Sequence, residues 1–258
     1  MKLKDKVSIV TGATKGIGLA CAEEYAIEGS KVVLTGRTES LGEEAVARIR
    51  ENGGDAIFVR CDVSQNDQVQ NLVQKTVEHY GRIDIILNNA GVNHSANFFD
   101  ITEEDWDWVM GVDLKGSFLL AQAAARVMVD QGIQGVIINV SSVMAVLALA
   151  DQVPYCAAKG GVNQMTKAMA IALGDYGIRV NAIGPGPVLT ELMQVVVNNP
   201  EKEAELLGRL PLGRIAECRE IATVAVFMAS DDSSFFTGQC VYPDGGRMIQ
   251  AFSRKQEK

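Results

Sequence analysis

The sequence predicts an α/β fold: a doubly wound parallel sheet of about seven strands with helices on both faces, in a single domain over residues 1–258. Three observations support this prediction. Short apolar runs rich in β-branched residues recur along the chain, and each ends in Gly, Asn, Ser or Asp. Amphipathic stretches alternate with these runs, and no linker, repeat or low-complexity segment interrupts the alternation. Such an alternation is typical of a parallel sheet covered by helices.

The expected strands are apolar throughout, which indicates burial on both faces of the sheet. In chain order they are KVSIVTG, KVVLTGR, DAIFVRCD, IDIILNNAG, GVIINVSS, IRVNAIGPG and QCVYPDGG. The expected helices include GLACAEEYAIEG, LGEEAVARIRENGG and VQNLVQKTVEHYG. These have apolar residues at helical spacing and a glycine after the end. The layout is that of a Rossmann-like fold.

Composition restricts the classes of function. At 258 residues, 47% hydrophobic and 22% charged, the chain suits one large globular domain. A net charge of −8 argues against nucleic acid as a partner, because phosphate binding needs a basic surface. No apolar run approaches the roughly 20 residues that a membrane-spanning helix requires, so no membrane partner is expected.

Cysteine usage and the N-terminal sequence indicate the compartment. The five cysteines are scattered and form no CxxC pair, so we expect neither a metal site nor a disulfide framework. The start, MKLKDKVSIVTG, runs from charged residues directly into an expected strand and does not have the form of a signal peptide. Both features favour a reducing, cytoplasmic location.

A glycine-rich turn lies between the first expected strand and the first expected helix, in IVTGATKGIGLA. Gly12, Gly16 and Gly18 have GxxxGxG spacing rather than the commoner GxGxxG. The physical argument is the same, because a tight turn, a close backbone approach and helix N-terminal amides suit a pyrophosphate. A glycine-rich turn alone is a weak signal, but its position directly after the first strand makes it a strong one. The segment predicts a dinucleotide site.

The end of the second expected strand bears on which dinucleotide binds. An NAD site usually has an acidic residue there, which holds the ribose hydroxyls. Here the strand ends in Gly36 and Arg37 with no carboxylate before Glu39, and Lys15 is a second cation in the glycine-rich turn. Two cations without an acid favour the 2′-phosphate of NADP(H), with NAD(H) as the second candidate. The alternative is that Arg37 only stacks on adenine or is solvated.

The segment YCAAK places Tyr155 and Lys159 four residues apart, about one helical turn, so both side chains point the same way. The small residues around them let the helix lie close to another element. A free tyrosine has a pKa of about 10, too high for efficient base catalysis near neutral pH. A nearby positive charge favours the phenolate. The pair is therefore a candidate acid–base device.

Six motifs in order carry a resemblance to a known family. They are TGATKGIG at 11–18, CDVS at 61–64, NNAG at 88–91, NVSS at 139–142, YCAAK at 155–159 and GPG at 184–186. Along essentially its whole length the sequence resembles the classical short-chain dehydrogenases/reductases (SDRs). Within the family it is most similar to the NADP-dependent ketoreductases, including the 3-oxoacyl-carrier-protein reductase and glucose-dehydrogenase branches. In such enzymes the nicotinamide carries the hydride, and the protein supplies position and electrostatics.

The resemblance implies the catalytic roles. Tyr155 would act as acid or base on the substrate oxygen, Lys159 would favour the phenolate and bind the nicotinamide ribose, and Ser142 would hydrogen-bond the substrate oxygen. Ser141 is the alternative serine, although a role at the strand end suits it better. Asp113 occupies the place of an asparagine that usually supports a water in the proton relay, and an ionised aspartate cannot donate a hydrogen bond. We expect Asp113 to be a relay member; the alternative is an altered, slower relay.

The resemblance also implies the cofactor contacts. The expected cofactor-binding residues are Gly12, Thr14, Lys15, Gly16, Ile17, Gly18, Arg37, Asp62, Val63, Asn89, Ala90, Gly91, Tyr155, Lys159, Pro185, Gly186, Val188 and Thr190. Of these, Asp62 and Val63 would flank the adenine, while Val188 and Thr190 would meet the carboxamide.

One segment, VLTELMQVVVNNPEKEAELLGRLP at 188–211, departs from the strand–helix rhythm. We expect it to cover the substrate; a plain surface excursion is the alternative. The candidate substrate contacts are His94, Met144, Leu149 and Met193. Their mostly apolar character favours an apolar or weakly polar carbonyl compound. An exposed loop histidine with no substrate role is the alternative for His94.

The expected function is that of an oxidoreductase that transfers hydride between NADP(H) and a secondary alcohol or ketone, with Tyr155 as the acid or base. The helix that contains Tyr155 is apolar beyond its catalytic face and needs a partner surface. The resemblance implies that a second subunit supplies it, in a homotetramer or homodimer. Two other functions stay open: a catalytically idle NADP-sensing regulator on the same fold, and a 3-oxoacyl thioester reductase of fatty-acid synthesis.

Overall fold

Seven strands form one sheet in the computed structural model, which describes residues 1–249. Their bounds are β1 Val7–Thr11, β2 Lys31–Gly36, β3 Asp55–Arg60, β4 Ile85–Asn88, β5 Val136–Val140, β6 Arg179–Ile183 and β7 Cys240–Val241. Every pairing is parallel, and the order across the sheet is β3-β2-β1-β4-β5-β6-β7. The predicted doubly wound sheet is confirmed.

Helices connect the strands and cover the sheet. In the described residues their bounds are α1 Gly16–Ile27, α2 Glu39–Glu51, α3 Asn66–Tyr80, α4 Glu103–Val109, α5 Ser117–Asp130, α6 Val153–Leu173, α7 Gln194–Val197, α8 Pro200–Gly208 and α9 Cys218–Ala229. A π-helical segment, Met110–Gly116, joins α4 to α5. None of the helices within residues 1–249 combines the length and the apolar character needed to cross a membrane.

The core consists of two apolar layers, one on each face of the sheet. Neighbouring strand residues pack into opposite layers: Ile9 belongs to one and Val10 to the other. The layer that contains Val10 includes residues of α1, α2 and α9, whereas the layer that contains Ile9 includes residues of α3 and α5. Because both faces are covered, both sets of strand residues must be apolar, which explains the continuous apolar runs.

The strand order indicates at which end of the sheet a ligand binds. Strand β1 pairs with β2 on one side and with β4 on the other, so the chain changes direction of travel across the sheet at β1. In doubly wound sheets, ligands bind beyond the carboxyl ends of the strands at such a switch point. The glycine-rich turn after β1, the NNAG segment after β4 and the serines after β5 all lie at this end.

The segment 188–211 is largely helical, but its helices are short. A 3₁₀ turn at Glu191–Met193 leads into α7 and then α8. Asn199 caps α8, since its side chain accepts hydrogen bonds from the backbone N–H groups of Glu201 and Lys202 at 3.1 Å. A single parallel bridge between Val188 and Ala216 ties the start of the segment to the chain that follows it.

Candidate active site

The glycine-rich turn has a backbone that side chains would obstruct. Gly12 and Gly16 have φ values of 60° and 58°, in the left-handed region that favours glycine. A Cβ added at Gly18 would lie 2.3 Å from the carbonyl oxygen of Gly12 and 2.4 Å from Nδ2 of Asn89. Helix α1 begins at Gly16, so its first N–H groups lie at the turn. The backbone of residues 12–18, here called the cradle, fits a pyrophosphate.

Residues after β4 brace the turn from the neighbouring strand. Asn89 Nδ2 donates to the carbonyl oxygens of Thr11 and Gly12, at 2.9 and 3.2 Å. The backbone N–H groups of Asn89 and Ala90 both donate to Thr11 Oγ1 at 2.9 Å. Asn89 and Ala90 were expected to contact the cofactor. That contact stays a prediction; what the structure shows is that both residues fix the shape of the turn.

Two cations lie near the expected adenosine end. Arg37 follows β2 directly and is exposed, and its carbonyl oxygen accepts a hydrogen bond from Arg60 Nε at 3.1 Å. Lys15 is exposed in the glycine-rich turn and pairs with Glu191. The glycine-rich turn and the end of β2 lie close together. Thr14 of the turn is so near Gly36 that a Cβ added at Gly36 would lie 3.0 Å from Thr14 Cγ2. Both cations therefore lie at one end of the turn, and Lys15 is paired there with Glu191.

Three other expected cofactor residues, Asp62, Pro185 and Thr190, lie in loops that follow strands at the same end of the sheet. Asp62 Oδ1 accepts from the N–H and the hydroxyl of Ser64 at 3.0 and 2.7 Å, which fixes the loop after β3. The carbonyl of Pro185 accepts from the N–H of Val143 at 3.1 Å, which joins the loops after β5 and β6. Thr190 Cγ2 lies 3.5 Å from the position that a Cβ of Gly16 would occupy. The start of the 188–211 segment thus touches the glycine-rich turn.

Tyr155 and Lys159 lie one turn apart at the start of α6, with Nζ of Lys159 5.5 Å from the centroid of the Tyr155 ring. Lys159 is almost completely buried and donates from Nζ to the carbonyl oxygen of Val140 at 3.0 Å. Asp113 is also buried, with Oδ2 3.1 Å from Nζ and Oδ1 accepting from the N–H of Val92 at 2.7 Å. The structure therefore brings Tyr155, Lys159 and Asp113 together.

The close approach of Asp113 to α6 depends on a glycine and on the π-helical segment. A Cβ added at Gly161 would lie 2.9 Å from Cδ2 of Leu114, so only glycine lets Leu114 pack there. Asp113 is adjacent to Leu114 within the π-helical segment. Single π turns inside α-helices occur frequently at functional sites. The small residues in YCAAKGG thus serve helix packing beside the ion pair.

Lys159 keeps its charge in spite of its burial. Burial acts to lower the pKa of Lys159, but the negative charge of Asp113 outweighs this effect and raises the pKa above its ordinary value. The site therefore holds the Lys159 ammonium ion beside the side chain of Tyr155.

The two serines after β5 have different environments. Ser142 is buried at the carboxyl end of β5, and its Oγ accepts from the N–H of Met144 at 3.1 Å. This contact uses an oxygen lone pair rather than the hydroxyl hydrogen of Ser142. Ser141 instead donates to Oδ1 of Asn163 at 2.7 Å, and Asn163 Nδ2 donates to the hydroxyl of Tyr242 at 2.7 Å.

The candidate substrate residues lie on three loops. His94 Nε2 is 3.4 Å from Oδ2 of Asp105, which also accepts hydrogen bonds in the N-terminal cap of α4. Met144 belongs to the 3₁₀ turn that follows Ser142, and Leu149 is partly exposed further along that loop. Met193 is on the 188–211 segment.

Known proteins identify the family. A family model described as Enoyl-(Acyl carrier protein) reductase matches residues 12–247. The chain is 40% identical over 250 residues to the 3-oxoacyl-[acyl-carrier-protein] reductase of Thermotoga maritima, which covers 96% of this chain and 100% of that relative. The protein belongs to the classical SDR family. It is also 38% identical over 253 residues to an L-rhamnose 1-dehydrogenase (NAD(P)(+)) of Azotobacter vinelandii, covering 96% of this chain and 99% of the relative.

A solved structure of this family is also similar throughout. The gluconate 5-dehydrogenase of Burkholderia cenocepacia, in complex with NADP and tartrate, superposes with a TM-score of 0.93. The sequences are 35% identical, and the match covers 97% of this chain and 98% of that one. The SDR family uses NAD(P), and the cradle, the two cations and the Tyr155–Lys159 pair of this chain fit such a cofactor. The protein is an SDR oxidoreductase.

Sequence reasoning missed several residues that shape the site. Glu191 pairs with Lys15, from which it is separated by 176 positions. Asn163 and Tyr242 brace Ser141, and they are 79 positions apart. No spacing rule connects such distant positions, so the contacts become visible only when the strands are ordered. The π segment around Asp113 likewise has no sequence signal of its own.

Proposed function

We propose that this protein is an NADP(H)-dependent SDR that interconverts a ketone and a secondary alcohol. The observation that supports the proposal best is the charged Lys159 5.5 Å from the Tyr155 ring, at the carboxyl end of the sheet. A phenol beside a stable ammonium ion can release a proton and regain it. When bound, the nicotinamide cofactor supplies or accepts the hydride at the substrate carbon.

The chain's own residues handle the proton and the substrate oxygen. In reduction, Tyr155 gives its hydroxyl proton to the carbonyl oxygen, and Lys159 stabilises the phenolate that is left. Ser142 donates its hydroxyl hydrogen to the same substrate oxygen and orients the carbonyl. In oxidation these transfers reverse. Asp113 contacts Lys159 and is proposed to take part in the proton relay.

The preference for NADP(H) rests on Lys15 and Arg37. Both cations are exposed at the end of the cradle where β1 and β2 finish, and β2 ends without an acidic residue. A 2′-phosphate would meet two positive charges there. In this proposal the remaining expected contacts complete the cofactor site: Asp62, Val63, Asn89, Ala90, Gly91, Pro185, Gly186, Val188 and Thr190.

The segment 188–211 is proposed as the cover of the substrate. It begins beside the glycine-rich turn, and Met193 ends the 3₁₀ turn that follows. His94, Met144 and Leu149 would complete the wall. A homotetramer or homodimer in the cytoplasm is proposed for the assembly, with the apolar surface of α6 at an interface.

A substrate panel tests the proposal. Purified protein and NADPH are mixed with small ketones, keto sugars, steroid ketones and a 3-oxoacyl thioester, and the loss of reduced-cofactor absorbance is followed. We expect at least one ketone to be reduced, with the corresponding secondary alcohol as product. Tight NADPH binding without turnover of any ketone or alcohol would instead indicate the idle NADP-sensing regulator. Turnover restricted to the thioester would assign the fatty-acid synthesis branch.

A further inference from the structure

Two groups that act on the substrate oxygen in the proposed function come from different parts of the fold. Tyr155 lies on α6, whereas Ser142 lies just after the carboxyl end of β5. Because both must reach one oxygen atom, turnover depends on the placement of α6 relative to the end of β5. A misplacement of about 1 Å can cost about 100-fold in rate. Contacts that fix these two elements to each other therefore bear on catalysis.

Asn163 makes such a contact. It lies about one helical turn beyond Lys159 on α6, and its Oδ1 accepts a hydrogen bond from Ser141 Oγ at 2.7 Å. Ser141 is buried and directly precedes Ser142, and its Oγ also lies 3.4 Å from the carbonyl oxygen of Lys159. Lys159 Nζ in turn donates to the carbonyl oxygen of Val140 at 3.0 Å. The end of β5 is therefore held against α6 directly beside Ser142.

A second hydrogen bond fixes the amide of Asn163. Its Nδ2 donates to the hydroxyl of Tyr242, the residue after β7, at 2.7 Å. Because the oxygen and the nitrogen of the amide are both engaged, a rotation of the amide would break at least one of the two bonds. The half-buried side chain of Asn163 is thus held in one orientation, with its acceptor toward Ser141.

Tyr242 connects this contact to the loop after β6. Its ring lies against Gly184, where an added Cβ would overlap the ring. The N–H of Gly184 donates to a carbonyl oxygen of β7 at 2.7 Å, and the N–H of Ser141 donates to a carbonyl oxygen of β6 at 2.7 Å. The carboxyl ends of β5, β6 and β7 are thus joined to α6 around Asn163.

A separate contact deeper in the fold also joins β5 to α6. Asn139 Nδ2 donates to Thr166 Oγ1 at 2.9 Å, and both residues are buried. This bond does not depend on Asn163, so the two elements stay packed when the Asn163 contact is removed. Loss of the Asn163 contact should therefore alter the placement of the chain beside Ser142 without unfolding the protein.

We propose that Asn163 is a positioning residue: it holds Ser141 against α6 and thereby directs the hydroxyl of Ser142 to the substrate oxygen that receives the proton of Tyr155. The proposal rests on the proposed function. Asn163 acts through Ser142, and its neutral amide transfers no proton. Tyr242 supports Asn163 from the other side by fixing the orientation of the amide.

Asn163→Leu tests the proposal, because leucine has a similar size and offers no acceptor to Ser141. We expect kcat to fall by about tenfold, with KM for the ketone and Kd for NADPH changed by less than about twofold. Asn71→Leu, the same substitution at an exposed position of α3, is the control and should keep the original kcat. An unaltered kcat in Asn163→Leu would overturn the proposal.

A double-mutant cycle with Ser142→Ala separates positioning of the serine from a general weakening of the fold. If Asn163 acts through Ser142, Asn163→Leu should lower kcat by less than about twofold when Ser142 is already alanine. An equal fall in both backgrounds would contradict the proposal, because the loss would then be independent of the serine. Should Asn163→Leu not fold, as judged by circular dichroism, Ser141→Ala removes the same hydrogen bond and has the same expected results.

Infrared difference spectroscopy reports the hydrogen bond of Ser142 directly, even where Ser142→Ala turns over too slowly to measure. A hydrogen bond to the substrate carbonyl polarises it and lowers its stretching frequency. The sample is a ketone bound together with NADP+, a complex that cannot react. We expect the frequency in Asn163→Leu to move from that of the unaltered protein toward that of Ser142→Ala. A frequency that stays at the value of the unaltered protein would rule out the positioning role.

The outcomes separate this proposal from the proposed function. If Tyr155→Phe and Ser142→Ala both lose turnover but Asn163→Leu keeps the original kcat and carbonyl frequency, only the positioning role of Asn163 fails. If Tyr155→Phe retains full turnover, the proposed function itself fails.

Discussion

Lys15 in the glycine-rich turn forms an ion pair with Glu191, which opens the 3₁₀ turn of the 188–211 segment. Lys15 is also one of the two cations proposed to meet the 2′-phosphate of NADP(H). Glu191 and the 2′-phosphate of the cofactor would therefore compete for the ammonium group of Lys15. Because both side chains are exposed, the pair is weak enough for a phosphate to replace it.

The first prediction concerns this competition. Glu191→Gln should tighten NADPH binding by about two- to fivefold, the range expected when an exposed ion pair no longer competes. NADH binding should stay the same, since NADH has no 2′-phosphate. Fluorescence titration with each cofactor measures both, and Glu201→Gln on α8 is the control. An equal effect on both cofactors would show that Glu191 acts on something other than the phosphate.

A second prediction concerns Arg37. Arg37→Asp should weaken NADPH binding by about 10- to 100-fold, as for the loss of one charge-assisted hydrogen bond, and should favour NADH. The ratio of kcat/KM for the two cofactors measures the change. Lys75→Asp is the control, because it reverses an exposed charge on α3 that pairs with Glu78. If the preference for NADPH survives in Arg37→Asp, the proposed 2′-phosphate contact is wrong.

The shape of the glycine-rich turn gives a third prediction. Gly18→Ala would place a methyl group 2.3 Å from the carbonyl oxygen of Gly12, so the turn must open. Overpacking of this kind costs about 1–3 kcal/mol, and we expect cofactor binding to weaken by about tenfold or more. Gly174→Ala is the control, since a Cβ there meets open space. Equal NADPH dissociation constants for Gly18→Ala and the unaltered protein would contradict the proposed cradle.

The strands could be predicted from the sequence because their signal is local. Each of the seven apolar runs contains one strand of the sheet, although QCVYPDGG yields only the two residues Cys240–Val241. The chemistry of the glycine-rich turn and of YCAAK was also local, since one turn of helix fixes the neighbourhood of Tyr155 and Lys159. Burial on both faces of a parallel sheet leaves few alternatives for such runs.

The remaining contacts could not be predicted because they join distant parts of the chain. The family resemblance implies a relay role for Asp113, but only the packing of the π segment against α6 shows its carboxylate 3.1 Å from Lys159 Nζ. His94 was an isolated loop residue in the sequence, and the fold pairs it with Asp105. Such contacts depend on side-chain direction, which spacing alone does not determine.

A fourth prediction concerns alkaline stability. Burial, and then a hydrogen bond with Cys240, raise the pKa of Tyr242 from its ordinary value of about 10 to about 12. The folded state therefore favours the protonated phenol more than the unfolded state does. This contribution to the free energy of unfolding is fully present below about pH 10 and is lost as the pH rises toward about 12.

Urea unfolding across this pH range checks the prediction. Tyr242→Phe cannot ionise, so its free energy of unfolding should fall less steeply with pH than that of the unaltered protein. Tyr176→Phe, at an exposed tyrosine, should keep the original slope. Parallel pH dependences for Tyr242→Phe and the unaltered protein would show that Tyr242 ionises equally easily in both states.

The most direct test of the mechanism is turnover by Tyr155→Phe, measured on the best ketone with saturating NADPH. The account predicts a fall in kcat by a factor of about 100 to 10,000, the contribution typical of a positioned acid or base, with NADPH binding unchanged. Tyr176→Phe should turn over normally. A Tyr155→Phe protein that binds NADPH and reduces the ketone at the original rate would contradict the account.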